Sequence, residues 1–327
     1  MAEKVRIKRK KPPRVHFTAA DFAHPDEARA RLIAIGVGVG FAAVVLALLA
    51  LTPLRTQLMA AWGGWVLLAL IFYTIAADRR ELRRLGVGGK RGQQAPEQLA
   101  DIVRKQTRAV GVAAEVAITQ EGAAAMTVRG VILIPEGVRQ RLTPAEMWVL
   151  IAREVGRIKA GDVGLGNLSR RLDTEERALL RLLALPLRPL ARALANWRWY
   201  AELTADHMAL ILTRDRKVVA AALLKQAAMG VEGVTVAEID AYLNRPGGLI
   251  AQSAEVTTHF KLGEVLRARG DLMQRLRATG QYADADEYRA ACAKLDAAHR
   301  KAQKTQAGAP TGPSARADDS TGAAGSS

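Results

Sequence analysis

The chain has little that could cross-link it or stack on nucleic-acid bases. Its 327 residues include one cysteine, Cys292, and only 5% of them are aromatic. A single cysteine excludes an internal disulfide and is compatible with a reducing compartment. The scarcity of aromatic side chains argues against single-stranded nucleic-acid binding, which uses them as stacking platforms. Ala, Leu and Arg are abundant instead, and this composition favours helix over strand.

Positive charge is in excess, and it is unevenly placed. The net charge is +16, and residues 1–100 contain 16 Lys/Arg against 7 Asp/Glu. Much of this charge lies beside apolar segments. It therefore indicates membrane topology and attraction to anionic lipid first, and nucleic-acid binding only second.

Two long uncharged segments predict a membrane hairpin. Residues 33–51 and residues 58–77 each lack charged side chains, and about 20 apolar residues suffice to span the hydrocarbon core. Only residues 52–57 separate them. A cleaved signal peptide is the competing interpretation of the first segment, but that segment is long and a second one follows directly.

The flanks of the two segments predict their orientation. Lys and Arg crowd residues 4–14 and 79–91, whereas the turn between the segments has only Arg55. Because Lys and Arg are retained on the cytoplasmic side, we expect a multi-pass protein of the inner or plasma membrane with both termini and the main domain in the cytoplasm.

Beyond these segments the pattern predicts a mainly α (α+β) domain. Apolar spacing predicts helices over residues 96–110, 147–159, 196–212, 217–229 and 272–303, the last broken at Gly280, and strands over 115–118 and 128–134. Thr143, Pro144 and Glu146 form a helix-start signature, and Gly161 follows as a stop. Residues 179–195 could be an interfacial amphipathic segment or an ordinary packed helical hairpin.

One helix carries a degenerate metallopeptidase pattern. Zincins place His-Glu-x-x-His on a helix so that both imidazoles face one zinc ion and the Glu acts as general base. Here residues 152–158 read Ala-Arg-Glu-Val-Gly-Arg-Ile. This resembles the Ala-His-Glu-x-Gly-His-Ile pattern of the HtpX-like family of membrane zinc metallopeptidases, which are gluzincins related to the CAAX prenyl endopeptidases.

Further segments carry the resemblance over roughly residues 80–270. Residues 202–206, Glu-Leu-Thr-Ala-Asp, are similar to the family's Glu-x-x-Ala-Asp. The resemblance implies that Glu202 stands at the third metal-ligand position and that Asp206 is the residue that steadies a ligand histidine. Thr258 and His259 resemble the family's Thr-His-Pro segment, with Phe260 in place of proline.

The departure from the pattern decides the expected function. Both histidine positions are arginine, Arg153 and Arg157, and a guanidinium group offers no lone pair to a metal. Glu154 keeps the position of the base, but without a metal it has no activated water to deprotonate. We therefore expect no active catalytic residue and no cofactor, and we predict that the two arginines form bidentate salt bridges with Glu202 and Asp206 across the former metal site.

Alternatives remain open at this point. An atypical active metalloendopeptidase would need zinc, and among the five histidines only His259 is a plausible ligand. A basic membrane-associated protein that binds nucleic acid is a further alternative, although no RNA or DNA motif is present. Arg153 and Arg157 could also belong to an ordinary solvated helix face. The leading hypothesis is a pseudoprotease that binds a peptide or a membrane protein as a scaffold.

The expected organisation has six parts. They are a basic cytoplasmic arm (1–30), a two-helix transmembrane hairpin (31–78), a basic linker (79–95), a degenerate HtpX-like peptidase-fold domain (96–270), C-terminal helices (271–303) and a disordered tail (304–327) rich in Gly, Ala, Ser, Pro and Thr.

Overall fold

A computed structural model describes residues 17–51, 96–119, 125–166, 188–228, 237 and 270–307. A 3-10 turn at Ala19–Asp21 precedes helix α1 (Pro25–Leu51), and α2 (Glu97–Val110) is the next described helix. The strands are β1 (Glu115–Thr119), β2 (Met126–Val128) and β3 (Val131–Pro135). The remaining helices are α3 (Glu136–Arg141), α4 (Pro144–Ala160), α5 (Arg188–Thr213), α6 (Arg216–Ala228), α7 (Gly270–Asp284) and α8 (Asp286–Ala307).

The described residues are mainly helical with one small sheet, which confirms the predicted class. The strand order is β1-β3-β2, with β1 parallel and β2 antiparallel to β3. The strand predicted over residues 128–134 is confirmed over 131–134 but begins too early, because the chain reverses at Arg129 and Gly130 with φ of 51° and 80°. The central residues of such a two-residue hairpin turn have positive φ, a conformation that glycine adopts freely. Arginine rarely adopts it, so Arg129 does not indicate a turn in the sequence.

Helix α4 begins and ends where the sequence predicts. The Thr143 Oγ1 accepts from the Glu146 N–H at 3.3 Å, and the Glu146 Oε2 accepts from the Thr143 N–H at 2.8 Å. Gly161 closes the helix with φ of 76°. The second oxygen of Glu146 accepts from the Lys225 Nζ at 2.5 Å, and both side chains are buried. This carboxylate therefore caps α4 and also holds α6 against it.

Helices α4 and α5 approach each other closely at Gly156. A Cβ atom at this position would lie 2.8 Å from the Met208 Cβ and 3.6 Å from the Ala205 Cα. Both neighbours are fully buried in α5, so neither can move aside easily. The absence of a side chain at Gly156 lets the two helices carry Arg153 and Glu202 to within contact of each other.

The segment before α1 is part of the core. Phe17 and Phe22 are 0% and 1% exposed, and their rings stack at 5.7 Å between centroids. They join the apolar cluster built by α2, α4 and α8. The sequence analysis had treated residues 1–30 only as a basic arm. Two phenylalanines without helical spacing gave no signal that this segment packs on the domain.

Helix α1 is buried at its start and exposed further along. Ala30 and Ala34 pack against Leu194, Trp197 and Ala201 of α5. Large apolar side chains are exposed on the other faces of α1 beside this contact and beyond it, at Leu32, Ile33, Ile35, Val39, Val44 and Leu46. Among the described helices, none has the length and apolar character needed to cross a membrane. This finding does not support the predicted hairpin.

The ends of several predictions shift or lie outside the described residues. The predicted break at Gly280 is wrong, because α7 continues through it to Asp284 before α8 begins. Helix α8 extends to Ala307, whereas the disordered tail was predicted from residue 304. Residues 188–195 open helix α5. The second apolar segment (58–77), the linker (79–95), residues 179–187, His259 and the tail from 308 lie outside the described residues.

Substituting Gly156→Ala tests the close contact of α4 with α5. The added methyl group would have to push against two buried neighbours, and overpacking of this kind costs about 1–3 kcal/mol. We expect the free energy of unfolding of the detergent-solubilised chain, measured by urea titration, to fall by that amount. Gly137→Ala in α3 is the matched control, because nothing lies within 4 Å of its Cβ position. Equal stability of both variants would contradict the proposed contact.

Candidate functional site

Four of the residues that the resemblance singles out, two arginines and two carboxylates, lie together between α4 and α5. Arg153 and Arg157 are four residues apart on α4, and Glu202 and Asp206 are four apart on α5, so each pair projects from one face of its helix. The salt bridges predicted across this interface are present, although each is made by one guanidinium nitrogen and not by two. Both arginines bind Glu202, and Arg153 also binds Asp206. An ordinary solvated helix face does not describe Arg153, which is 3% exposed.

Arg153 uses each nitrogen of its guanidinium group. Nε donates to the Asp206 Oδ1 at 2.7 Å, Nη2 donates to the Glu202 Oε2 at 2.6 Å, and Nη1 donates to the Gln226 Oε1 at 2.7 Å. Such charge-assisted contacts are stronger than neutral hydrogen bonds. Gln226 lies on α6, so this one side chain connects three helices. Sequence reasoning missed Gln226 because a glutamine in an alanine-rich helix carries no recognisable pattern.

Glu154, at the position that the resemblance assigns to a catalytic base, has donors on both carboxylate oxygens. Its Oε1 accepts from the Arg157 Nη1 at 2.7 Å, and its Oε2 accepts from the Thr127 Oγ1 of β2 at 2.8 Å. The side chain is 1% exposed. Arg157 also donates to the Glu202 Oε1. Glu154 therefore acts as an ion-pair partner that links the sheet to α4.

Arg275 is a third arginine in the same cluster, and the sequence analysis did not identify it. It lies on α7, where its Nε donates to the Asp206 Oδ2 at 2.9 Å and its Nη2 donates to the same carboxylate at 2.8–2.9 Å. Its Nη2 is also 3.4 Å from the Glu202 Oε2. No sequence pattern distinguishes this arginine from its neighbours on an amphipathic helix. The resemblance to the HtpX-like family also ends near residue 270, before Arg275.

The charges of this arginine–carboxylate cluster balance. Three guanidinium groups (Arg153, Arg157, Arg275) face three carboxylates (Glu154, Glu202, Asp206). Burial alone would raise the pKa of Glu202, but the three guanidinium groups outweigh it and hold that pKa well below its ordinary value. Burial would lower the pKa of Arg157, but Glu154 and Glu202 raise it above its ordinary value. These shifts hold Glu202 and Arg157 in their charged forms.

At the two positions where the resemblance implies imidazoles, the cluster has the guanidinium groups of Arg153 and Arg157. Within the residues that the structure describes, no group of three or more His, Cys, Asp or Glu side chains is arranged to hold a metal ion. His207 points away from the cluster, as its position on α5 predicts. Its Nδ1 is 3.2 Å from the Phe22 carbonyl oxygen, and its ring stacks on Tyr282 at 3.6 Å. His259 lies outside the described residues.

A second polar junction lies at the end of α4, where α1 meets it. Arg31 donates to the Asp162 Oδ1 at 2.8 Å and to the Gly161 carbonyl at 3.0 Å. Cations are favoured at a helix C-terminus, so Arg31 completes the end of α4. One turn earlier on α1, Glu27 accepts from the Thr204 Oγ1 of α5. The N–H of His24 also donates to that hydroxyl oxygen at 2.9 Å.

The two junctions border one small cleft. Its lining includes Thr127, Glu154, Arg157, Asp162, Trp197 and Glu202. Comparisons with protein-family models, with curated proteins and with solved structures returned no match. The resemblance to the HtpX-like family therefore rests on the sequence segments quoted above.

Removing Arg153 tests the cluster. Arg153→Met leaves the carboxylates of Glu202 and Asp206 in the interior with one cation fewer, and breaking a buried ion pair costs about 3–5 kcal/mol. We expect a loss of this size in the free energy of unfolding. Arg104→Met is the control, because its pair with Asp101 is exposed and worth at most about 1 kcal/mol. If the free energy of unfolding fell equally in both variants, the buried cluster would stabilise the protein no more than an exposed ion pair does.

The buried His207 predicts a pH dependence of stability. Burial lowers its pKa to about 4, below the ordinary value of 6.5. The native state therefore keeps this imidazole neutral while the unfolded chain protonates it. The stabilisation is complete above pH 6.5 and is lost as pH falls from 6.5 towards 4, at up to about 1.4 kcal/mol per pH unit.

The measurement compares wild type with His207→Gln across this range. Asp162 titrates in the opposite sense, because burial and the Glu27 carboxylate raise its pKa to about 7, so its contribution is lost as pH rises through 7. Asp162 is present in both proteins, and its contribution cancels in the difference. We expect the stability advantage of wild type over the variant to shrink as pH falls. A difference independent of pH would contradict the assignment.

Proposed function

We propose that this protein is a non-catalytic, membrane-anchored relative of the HtpX-like metallopeptidases that acts as a binding or scaffold protein. One observation carries the proposal. The guanidinium groups of Arg153 and Arg157 bind Glu202, the residue that the resemblance places at the third metal-ligand position. A carboxylate held by two cations is poorly available to a third, and neither arginine has a lone pair to give.

The surroundings of Glu154 support the loss of hydrolytic chemistry. A general base must reach the proton it removes, and in this family the proton comes from a metal-bound water. Glu154 instead accepts from Arg157 and Thr127 on its two oxygens. The arrangement supports a rigid ion-pair core in place of an active centre.

The membrane anchor is proposed from the sequence and from the exposure of α1. Residues 33–51 and 58–77 are uncharged, and basic residues flank them on both sides. The apolar side chains exposed along α1 include Leu32, Val39 and Leu46, which are 63–70% exposed. A bilayer would remove such side chains from contact with water. On this proposal both termini and the folded domain lie on the cytoplasmic side of the inner or plasma membrane, with anionic lipid at the basic flanks.

Zinc content is the first test of the proposal. We expect no zinc in the purified full chain by elemental analysis. The double substitution Arg153→His with Arg157→His restores the family pattern, and we expect it to bind about one zinc ion per chain. Adding Glu202→Ala to the double variant should abolish this binding. Zinc near one per chain in wild type, lost in Glu202→Ala, would overturn the proposal and favour the atypical active metallopeptidase.

Alkaline carbonate extraction tests the anchor. We expect the full chain to remain in the membrane pellet, because two apolar helices cannot be released by removing electrostatic attraction alone. A tag after residue 327 should be accessible to protease in inside-out vesicles and protected in right-side-out vesicles. Release of the chain by carbonate would instead indicate attachment through its basic surface.

A further inference from the structure

Two buried carboxyl groups face each other where α1 joins the domain. Glu27 of α1 is 4% exposed, Asp162 beyond the end of α4 is 3% exposed, and the two side chains share a hydrogen bond. Two ionised carboxylates have no proton to donate to each other, so this hydrogen bond requires one proton in the pair. The Asp162 Oδ2 has no donor on any other residue that the structure describes, and a shared proton satisfies it.

The charge of Arg31 balances the pair only while the pair holds that proton. Arg31 of α1 donates to the Asp162 Oδ1 at 2.8 Å and to the Gly161 carbonyl at 3.0 Å. With one proton, the pair carries a single negative charge, which this guanidinium group neutralises. Without the proton a second negative charge is buried beside the first, and an unpaired buried charge is costly.

The other titratable groups around the pair do not replace Arg31 or the proton. These groups are Glu154 and Arg157 of α4, Arg198, Glu202 and His207 of α5, and His24 before α1. The charge of Arg157 is balanced by Glu154 and Glu202, which it binds. Burial lowers the pKa of both His24 and His207, so protonating these imidazoles as pH falls disfavours the packed junction. Their effect is therefore opposite in sign to that of the carboxyl pair.

We propose that Glu27 and Asp162 form a proton-operated latch, which fastens α1 to the domain when the pair holds one proton and loosens when that proton leaves. The latch joins α1 to two helices, because Glu27 also accepts from Thr204 of α5 and Arg31 reaches the end of α4. The inference goes beyond the proposed function and depends on neither the membrane anchor nor the loss of metal binding.

The direction of the pH effect follows from where the proton binds. Burial and the Glu27 carboxylate raise the pKa of Asp162 to about 7 in the closed latch. Once α1 is released, both carboxyl groups meet water and titrate near their ordinary pKa of about 4. Closing therefore takes up one proton in the range between these values. The attachment of α1 weakens by about tenfold per pH unit as pH rises from about 5 to 7, and it levels off above 7.

Hydrogen exchange at the Trp197 indole measures how often the latch opens. This ring packs against Ala30 and Ala34 of α1, and its N–H is buried without an acceptor among the described residues. Because no hydrogen bond protects it, its protection from exchange depends on α1 staying attached. The full chain is labelled with 15N-tryptophan in detergent micelles, and the resonance is identified by its loss in Trp197→Phe. Exchange rates are divided into those of N-acetyltryptophanamide at the same pH to give a protection factor.

We expect the protection factor of wild type to fall about tenfold between pH 6 and pH 8. Asp162→Asn and Glu27→Gln each supply a permanent amide donor and the net charge of the protonated pair, so we expect this fall to be absent in both. Asp26→Asn is the matched control, because this carboxylate is also on α1 but is 55% exposed. It should keep the fall seen in wild type.

Three results would overturn the proposal. The first is a protection factor in wild type that does not change between pH 6 and pH 8. The second is an undiminished fall in the amide variants, and if one of them does not fold, the other decides. The third is exchange that accelerates steeply with urea, because this indicates opening by global unfolding and not by release of α1.

Discussion

Burying a guanidinium group is costly unless carboxylates or amides surround it, and Arg153 meets this condition on all three nitrogens. The other members of the arginine–carboxylate cluster depend on it. Without this cation, Glu202 and Asp206 would repel each other across the interior, and Gln226 would lose its donor. Arg275 then completes the balance from α7. The domain is thus organised around a balanced set of charges that α4, α5 and α7 share, with Gln226 of α6 as a neutral acceptor.

A second constraint is steric. The backbone of α5 reaches α4 only because Gly156 has no side chain, and this approach brings the two charged faces into contact. The N-terminal segment closes the other side of α5, where Phe22 meets His207 and α1 packs its alanines against Trp197. One face of α5 is therefore ionic, and another is aromatic and apolar. Glu154 and Thr127 extend the ionic face to the sheet.

The features of the structure that depend on neighbouring residues, such as helix ends, could be predicted from the sequence. The cap at Thr143 and the stop at Gly161 follow from the spacing of residues along one helix. The pairing of Arg153 with Glu202 was predicted from the resemblance, which places both residues at one former metal site. Arg275, Gln226 and Phe17 were missed because their partners are far away in the chain and no local pattern marks them. The turn at Arg129 was missed because a positive φ at arginine is rare. The break predicted at Gly280 failed because helix packing overrides a modest propensity penalty.

The attachment of α1 has a geometric consequence for a chain anchored as proposed. Glu27 and Arg31 fasten one face of α1 to Thr204 and Asp162, and the apolar segment begins two residues after Arg31, a rise of only about 3 Å. The cleft beside Asp162 then lies at the height of the lipid headgroups, without a tether that would let the domain swing away. A ligand would reach this end of the domain by two-dimensional diffusion along the bilayer surface, within a layer about a few ångströms deep.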